Sequence, residues 1–131
     1  MRKMIIVSLL FGLTIVLTAC GGSAPMQEIT SSNKAVNIVV TSDPSPAIMG
    51  DVELLLTIID KDGNSIEGAA VNVAADHTDM SGMGMNGLAT DQGGGKYSIK
   101  ANFNESGNWM LTVKVTKDTL DYKEDIEFKI E

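Results

Sequence analysis

One short segment of the 131-residue chain concentrates side chains that are able to bind a metal ion. Residues 77–85 read HTDMSGMGM and contain the only histidine, His77, together with Met80, Met83 and Met85. Thioether sulfurs are soft ligands and, combined with an imidazole nitrogen, they select Cu(I) over hard cations. The glycines between the methionines allow a short loop to turn two or three sulfurs toward one point. The pattern predicts a copper site with these four residues as ligands.

Two other interpretations of the same segment remain open. Methionine also lines adaptable protein–protein contacts and fills ordinary cores. On a strand, Met83 and Met85 would share one face, while the glycines and Ser81 around them supply little other apolar bulk. This composition is unusual for a core segment and favours binding. Met110, beside Trp109, and Met49 are further candidates whose inclusion depends on the fold.

The rest of the chain offers little material for catalysis. There is one histidine, and the only cysteine, Cys20, is expected to carry lipid. The G-x-G-x-x-G pattern at 82–87 lies in a chain that otherwise reads as strands, without the helix that a dinucleotide site needs. The turn at 60–64 begins like a calcium loop, but neither the glycine nor the glutamate of an EF-hand follows at the required positions. We therefore predict that the protein is not an enzyme.

The N-terminus carries the signature of a bacterial lipoprotein. Two basic residues precede the largely apolar run 4–17, and the run closes on the sequence Leu-Thr-Ala-Cys, which ends at Cys20. The run is short for a transmembrane helix, and nothing basic follows it. Residues 1–19 are thus predicted to be a signal peptide, and Cys20 is predicted to carry a diacylglyceryl group and palmitate. The protein is expected outside the cytoplasm, anchored by lipid to a bacterial membrane.

The remainder divides into a tether and one domain. Residues 20–34 comprise the lipidated cysteine and a small, polar stretch that predicts a flexible linker. Residues 35–131 have the length of one small domain that is able to form its own core without disulfides. The formal net charge of −7 becomes more negative once the basic leader is removed. This charge argues against nucleic acid as a partner.

Period-two alternation of apolar residues runs through the domain. It predicts an all-β fold, an antiparallel immunoglobulin-like β-sandwich of six or seven strands, preceded by the signal peptide and the tether. Trp109 is the expected centre of the core. The alternating segments lie near 36–41, 52–59, 71–75, 97–103, 109–115 and 126–130.

Residues 44–116 resemble the YtkA-like domain family, which is related to the FixH-like proteins. The similarity is carried by the Gly68-Ala69 turn into a strand, by the Met-Gly-Met sequence at 83–85, and by Gly107-x-Trp109. The resemblance implies an immunoglobulin-like sandwich in a small exported or membrane-tethered protein.

The resemblance also implies a link with copper handling and the supply of copper to respiratory oxidases. It points to Met80, Met83 and Met85, with His77 as a fourth ligand. A second histidine is missing from the sequence, which favours an open site suited to transfer. We therefore expect a monomeric, membrane-anchored protein that exchanges Cu(I) with a copper donor or acceptor protein. The alternative is a non-metal binding module whose Met-rich loop docks a partner protein or envelope component.

Overall fold

The computed structural model describes residues 34–131, and this part of the chain contains strands and loops but no helix. Its strands are β1 Val36–Asp43, β2 Gly50–Asp60, β3 Ala70–His77, β4 Gly84–Leu88, β5 Thr90–Gly93, β6 Lys96–Phe103, β7 Gly107–Lys117 and β8 Leu120–Ile130. The predicted signal peptide, the lipidation site Cys20 and nearly all of the predicted tether lie outside the described residues. Among residues 34–131, no helix is long and apolar enough to cross a membrane.

The strands form two antiparallel sheets of four strands each. One sheet has the order β1-β2-β6-β5, and the other has the order β4-β3-β7-β8. In the strand letters of immunoglobulin domains these orders are A-B-E-D and C′-C-F-G, that is, the constant-type sheets with one added strand, C′. The predicted immunoglobulin-like sandwich is confirmed.

Alternation of apolar and polar residues explains the two central strands. In β2 the side chains of Val52, Leu54, Leu56 and Ile58 are buried, and the residues between them are more exposed. The same alternation in β7 buries every second residue from Trp109 to Val115. Because successive side chains of a strand point to opposite faces, each sheet directs one apolar face into the core.

The structure has eight strands where the sequence predicted six or seven. The strands that were missed, β4 and β5, have five and four residues, and all β5 residues are exposed. Glycine-rich segments have low β-propensity, so their pairing depends on the neighbouring strands rather than on their own side chains. Strand β8 also begins at Leu120, six residues before the predicted segment, because its first half pairs with the end of β7.

Trp109 is buried, with 4% of its surface exposed, but it lies at one end of the sandwich rather than at the centre of the core. Its ring packs edge-on against Phe103 at a centroid distance of 5.0 Å, and its Nε1–H donates to the carbonyl of Glu105 at 3.1 Å. The prediction of burial is confirmed, and the prediction of a central position is wrong. The middle of the core consists of aliphatic side chains such as Leu56 and Val113.

Three loops lie together at the end of the sandwich that contains Trp109. They are the β1–β2 loop (44–49), the β3–β4 loop (78–83) and the β6–β7 loop (104–106). We call this end the methionine end, because the first two loops carry the exposed Met49, Met80 and Met83. Strand β1 starts at the opposite end, where Val36 pairs with Asp60.

Candidate metal-binding cleft

The β3–β4 loop is a hairpin that presents methionines beside the core. The pair of Asp76 and Gly84 closes the hairpin, and from there β3 and β4 pair without a register shift. Gly82 has a φ of +85°, a conformation that side chains with a Cβ rarely adopt, and it allows the chain to turn back into β4. Gly82, the one glycine among residues 78–83, thus provides the backbone conformation with which the loop returns to β4.

Met83 and Met85 line one cleft, which we call the methionine cleft. The cleft has a volume of about 230 Å³ and is lined by Gly82, Met83, Gly84, Met85, Asn102, Asn104 and Trp109. Met85 lies opposite Ala75 of β3 and packs partly buried against the core, whereas Met83 is 37% exposed. The structure therefore places these two predicted ligands on the same cleft, with one sulfur-bearing side chain at the core and the other toward solvent.

Met80 lies in the same loop but not in the lining of the cleft. Its side chain is 41% exposed. Four residues, 81–84, separate it from Met85 along the chain. Of the three predicted methionine ligands, the structure thus places two in the lining of the cleft and one outside it.

His77 is buried and hydrogen-bonded at both ring nitrogens. Its Nδ1 accepts a bond from the backbone N–H of Asp79 at 3.1 Å, and its Nε2 lies 3.1 Å from the carbonyl oxygen of Ser106. A backbone N–H is only a donor, so Nδ1 must be the unprotonated nitrogen, and Nε2 carries the proton that is donated to Ser106. The ring stacks edge-on to Trp109 at 5.1 Å and does not line the cleft. In this arrangement neither nitrogen has a free lone pair for a metal ion.

Met110 and Met49 are placed away from the cleft. Met110 pairs with Asp76 and Glu127, and because side chains alternate, it lies on the opposite face of the sheet from its neighbour Trp109. Met49 lies at the methionine end, but its backbone N–H bonds to the carbonyl of Glu131 at 3.2 Å, beside the end of β8. Neither residue joins Met83 and Met85.

The polar lining of the cleft is neutral. It consists of the two amide side chains Asn102 and Asn104 together with the Trp109 indole and loop backbone. Asn102 donates from Nδ2 to the carboxylate of Asp51 at 2.8 Å. Within residues 34–131, no group of three or more histidine, cysteine, aspartate or glutamate side chains is arranged to hold a metal ion.

Sequence reasoning did not assign Trp109 and the two asparagines to the site. Trp109 was attributed to the core alone, yet its pairing with His77 places it directly beside the β3–β4 loop (78–83), which we call the methionine loop. Asn102 lies near the end of β6, in the other sheet, and Asn104 lies in the β6–β7 loop. The register of β3 with β7 is the signal that connects Trp109 to the loop, and it becomes visible only once the strands are paired.

Comparison with known proteins supports the resemblance noted in the sequence. The family model described as YtkA-like matches residues 30–114, which is more than half of the chain. No curated protein matches the chain. The matched range includes β1 to β6, the methionine loop and most of β7. The chain belongs to the YtkA-like family.

Proposed function

We propose that this protein is a membrane-anchored, extracytoplasmic Cu(I)-binding protein. The observation that carries the proposal is the presence of two thioether side chains, Met83 and Met85, on one cleft whose other side chains are uncharged. Soft sulfur ligands bind Cu(I) well, whereas a cleft lined by no carboxylate offers little to Ca²⁺ or Mg²⁺. The donor set therefore matches a soft monovalent ion.

Met80 is the third ligand in this proposal. Its position on the exposed part of the loop allows it to approach an ion already held by Met83 and Met85. His77 was predicted as a fourth ligand, but its ring nitrogens are hydrogen-bonded within the fold, so the proposed site consists of thioethers. A site with two sulfurs on the cleft and one on the exposed loop beside it remains open to a partner.

An open thioether site suits the transfer of copper rather than its storage. A partner protein with stronger ligands could displace Met80 first and then take the ion from the cleft. In this proposal Cys20 anchors the protein to the membrane through lipid, and residues 21–34 provide a reach of about 20 Å for a flexible chain of that length. The partner is a copper donor or acceptor protein at the same membrane.

The first prediction concerns copper affinity. Replacing both Met83 and Met85 by Leu should lower Cu(I) affinity at least about 100-fold, because even residues behind the ligands change metal affinity by about 10- to 100-fold. Leu has a similar volume but no lone pair, so folding should change by less than about 1.5 kcal/mol per substitution. The measurement is a competition titration against a Cu(I) chelator under reducing conditions.

Two features of the chain sharpen this titration. Met110→Leu is a matched control, because Met110 lies on the other face of the sheet and should not affect binding. Trp109 is the only tryptophan and lines the cleft, so its fluorescence should change when Cu(I) binds to the wild-type protein. Equal copper retention by the wild type and the Met83→Leu, Met85→Leu variant would refute the proposal.

The alternative function is a non-metal binding module that docks a partner protein or envelope component. It is favoured by the exposure of Met80 and Met83, at 41% and 37%, beside Ile48 and Met49 at the same end of the sandwich. Leu substitutions would preserve such an apolar surface. The same titration therefore separates the two functions.

A further inference from the structure

His77 connects two loops of the methionine end. Its Nδ1 accepts from Asp79 in the β3–β4 loop, and its Nε2–H donates to Ser106 in the β6–β7 loop. The ring is only 7% exposed, and it is the one buried polar or charged side chain among the described residues. A buried imidazole that satisfies both nitrogens in this way holds its surroundings in a fixed geometry.

The contact between the two loops extends beyond the imidazole. The backbone N–H and the hydroxyl group of Thr78 both donate to the carbonyl of Asn108, each at 3.0 Å. The indole Nε1–H of Trp109 donates to Glu105 in the β6–β7 loop. Residues 77–79 and the segment from 105 to 109 therefore form one hydrogen-bonded unit directly beneath the cleft.

Gly107 leaves the space that the imidazole occupies. A Cβ at this position would lie 3.0 Å from Nε2 of His77, which is tighter than ordinary packing. Its φ of +121° also disfavours any other residue. The backbone of the β6–β7 loop is thus shaped closely around the His77 ring.

We infer that His77 is a positioning residue for the methionine cleft and not a metal ligand. It fixes the first residues of the methionine loop against the β6–β7 loop, which contributes Asn104 to the cleft, and its ring supports Trp109 from the side. The inference rests on the proposed function for its relevance to copper. The attachment of the β3–β4 loop through His77 does not depend on copper, because both hydrogen bonds of the ring are present in the metal-free protein.

The test is nuclear magnetic resonance of the full chain in detergent micelles. Labelling histidine with ¹⁵N gives the signals of one imidazole ring, because the chain has a single histidine. The metal-free protein should show the Nε2–H tautomer, with Nδ1 accepting a hydrogen bond. Cu(I) is diamagnetic, so its addition should change the ¹³C chemical shifts of the labelled methyl groups of Met83 and Met85. The imidazole should keep the same tautomer, and its two nitrogens should keep nearly the same chemical shifts.

A variant tests the positioning role in the metal-free protein. His77→Phe keeps an aromatic ring against Trp109 but removes both hydrogen bonds. Amide exchange at Thr78 and Asp79, whose N–H groups are hydrogen-bonded in the wild type, should become at least about tenfold faster, because the loop loses its attachment, while exchange in the central strands is unchanged. Met80→Leu, in the same loop, is the matched control and should leave these rates unchanged.

The outcomes separate the two proposals. A large Cu(I)-induced shift of one ring nitrogen would make His77 a ligand and overturn the inference. Loop exchange that is the same in His77→Phe and in the wild type, in a folded variant, would overturn it as well. If Cu(I) shifts no methionine methyl group, the copper function fails, while faster loop exchange in His77→Phe would still support the positioning role.

Discussion

The hydroxyl group of Tyr97 lies fully buried between β6 and the connection from β2 to β3. It donates to the carbonyl oxygen of Ile66 at 2.7 Å and accepts from the backbone N–H of Ala69 at 3.1 Å. Burial raises the pKa of this phenol, so the group stays protonated and continues to donate. One side chain thus satisfies two backbone groups of the β2–β3 connection.

Replacing Tyr97 by Phe should lower the free energy of unfolding by about 1–3 kcal/mol, since a buried carbonyl and a buried N–H would lose their partner. Urea unfolding followed by Trp109 fluorescence measures the loss. Tyr122→Phe is the control, because the Tyr122 hydroxyl bonds only to Glu124 at the rim of the fold and its removal should cost less than about 0.5 kcal/mol. Equal losses in the two variants would contradict the role given to Tyr97.

The roles of individual residues were only partly predictable from the sequence. The spacing of Met83 and Met85 places both on one face of a strand, and both do line one cleft. The role of His77 was hidden, because the acceptor of its Nε2–H lies 29 residues away in the chain. A histidine among methionines suggests a ligand, but its place on the inward face of β3 makes it a buried group that needs hydrogen bonds.

Among the elements, the turn between β5 and β6 depends on one carboxylate. Asp91 accepts hydrogen bonds from the backbone N–H groups of Gly93 and Gly68, each at 2.7 Å. The bond from Gly93 closes the turn that follows Asp91, and the bond from Gly68 attaches the β2–β3 connection to this turn. These bonds, with that of Gly93 the strongest cause, hold the pKa of Asp91 below its ordinary value of 3.8.

The depressed pKa predicts acid sensitivity. A carboxylate whose pKa is lower in the folded than in the unfolded protein stabilises the fold above its unfolded pKa, and this stability is lost as pH falls through the folded value. The urea midpoint of the wild type should therefore fall as pH drops below about 4. Asp60, whose pKa is lowered chiefly by the backbone N–H of Asn64, contributes in the same direction.

Asp91→Asn should reduce this acid dependence and also lower stability at neutral pH, since an amide cannot reproduce a doubly accepting carboxylate. The Asp91→Asn, Asp60→Asn double variant should reduce the dependence further. Urea midpoints measured between about pH 2.5 and pH 7 provide the comparison. An acid dependence as steep in the double variant as in the wild type would show that other groups cause it.

The elements were predictable wherever side chains alternate. Strands β2 and β7 follow from their apolar periodicity, and the turn at 60–64 follows from its composition, with Gly63 at a φ of +85°. Strands β4 and β5 were not predicted, because sheet neighbours rather than their own sequence place them. The cleft itself also depends on strand pairing, since Asn102 contributes to it from the other sheet and Asn104 from the β6–β7 loop.

At the scale of the whole molecule, the chain enters the sandwich far from the cleft. Strand β1 begins at the end opposite the methionine end, and Lys34, the first described residue, forms an ion pair with Glu124 on β8. This carboxylate also raises the pKa of Lys34. The described part of the chain thus begins at the end of the sandwich opposite the methionine end.

The lipid anchor is a prediction, because Cys20 lies outside the described residues. The native protein should begin at Cys20 and carry acyl chains, and mass spectrometry of its N-terminal peptide measures both features. Two or more chains, at about 0.8 kcal/mol per buried methylene, would hold it at the membrane essentially permanently. Cys20→Ser should abolish acylation and leave residues 1–19 uncleaved by the lipoprotein peptidase. The β-sandwich and the proposed Cu(I) site should stay intact, because the residues that line the cleft all lie between 82 and 109. An unmodified native N-terminus at any other residue would refute the anchor without affecting the copper proposal.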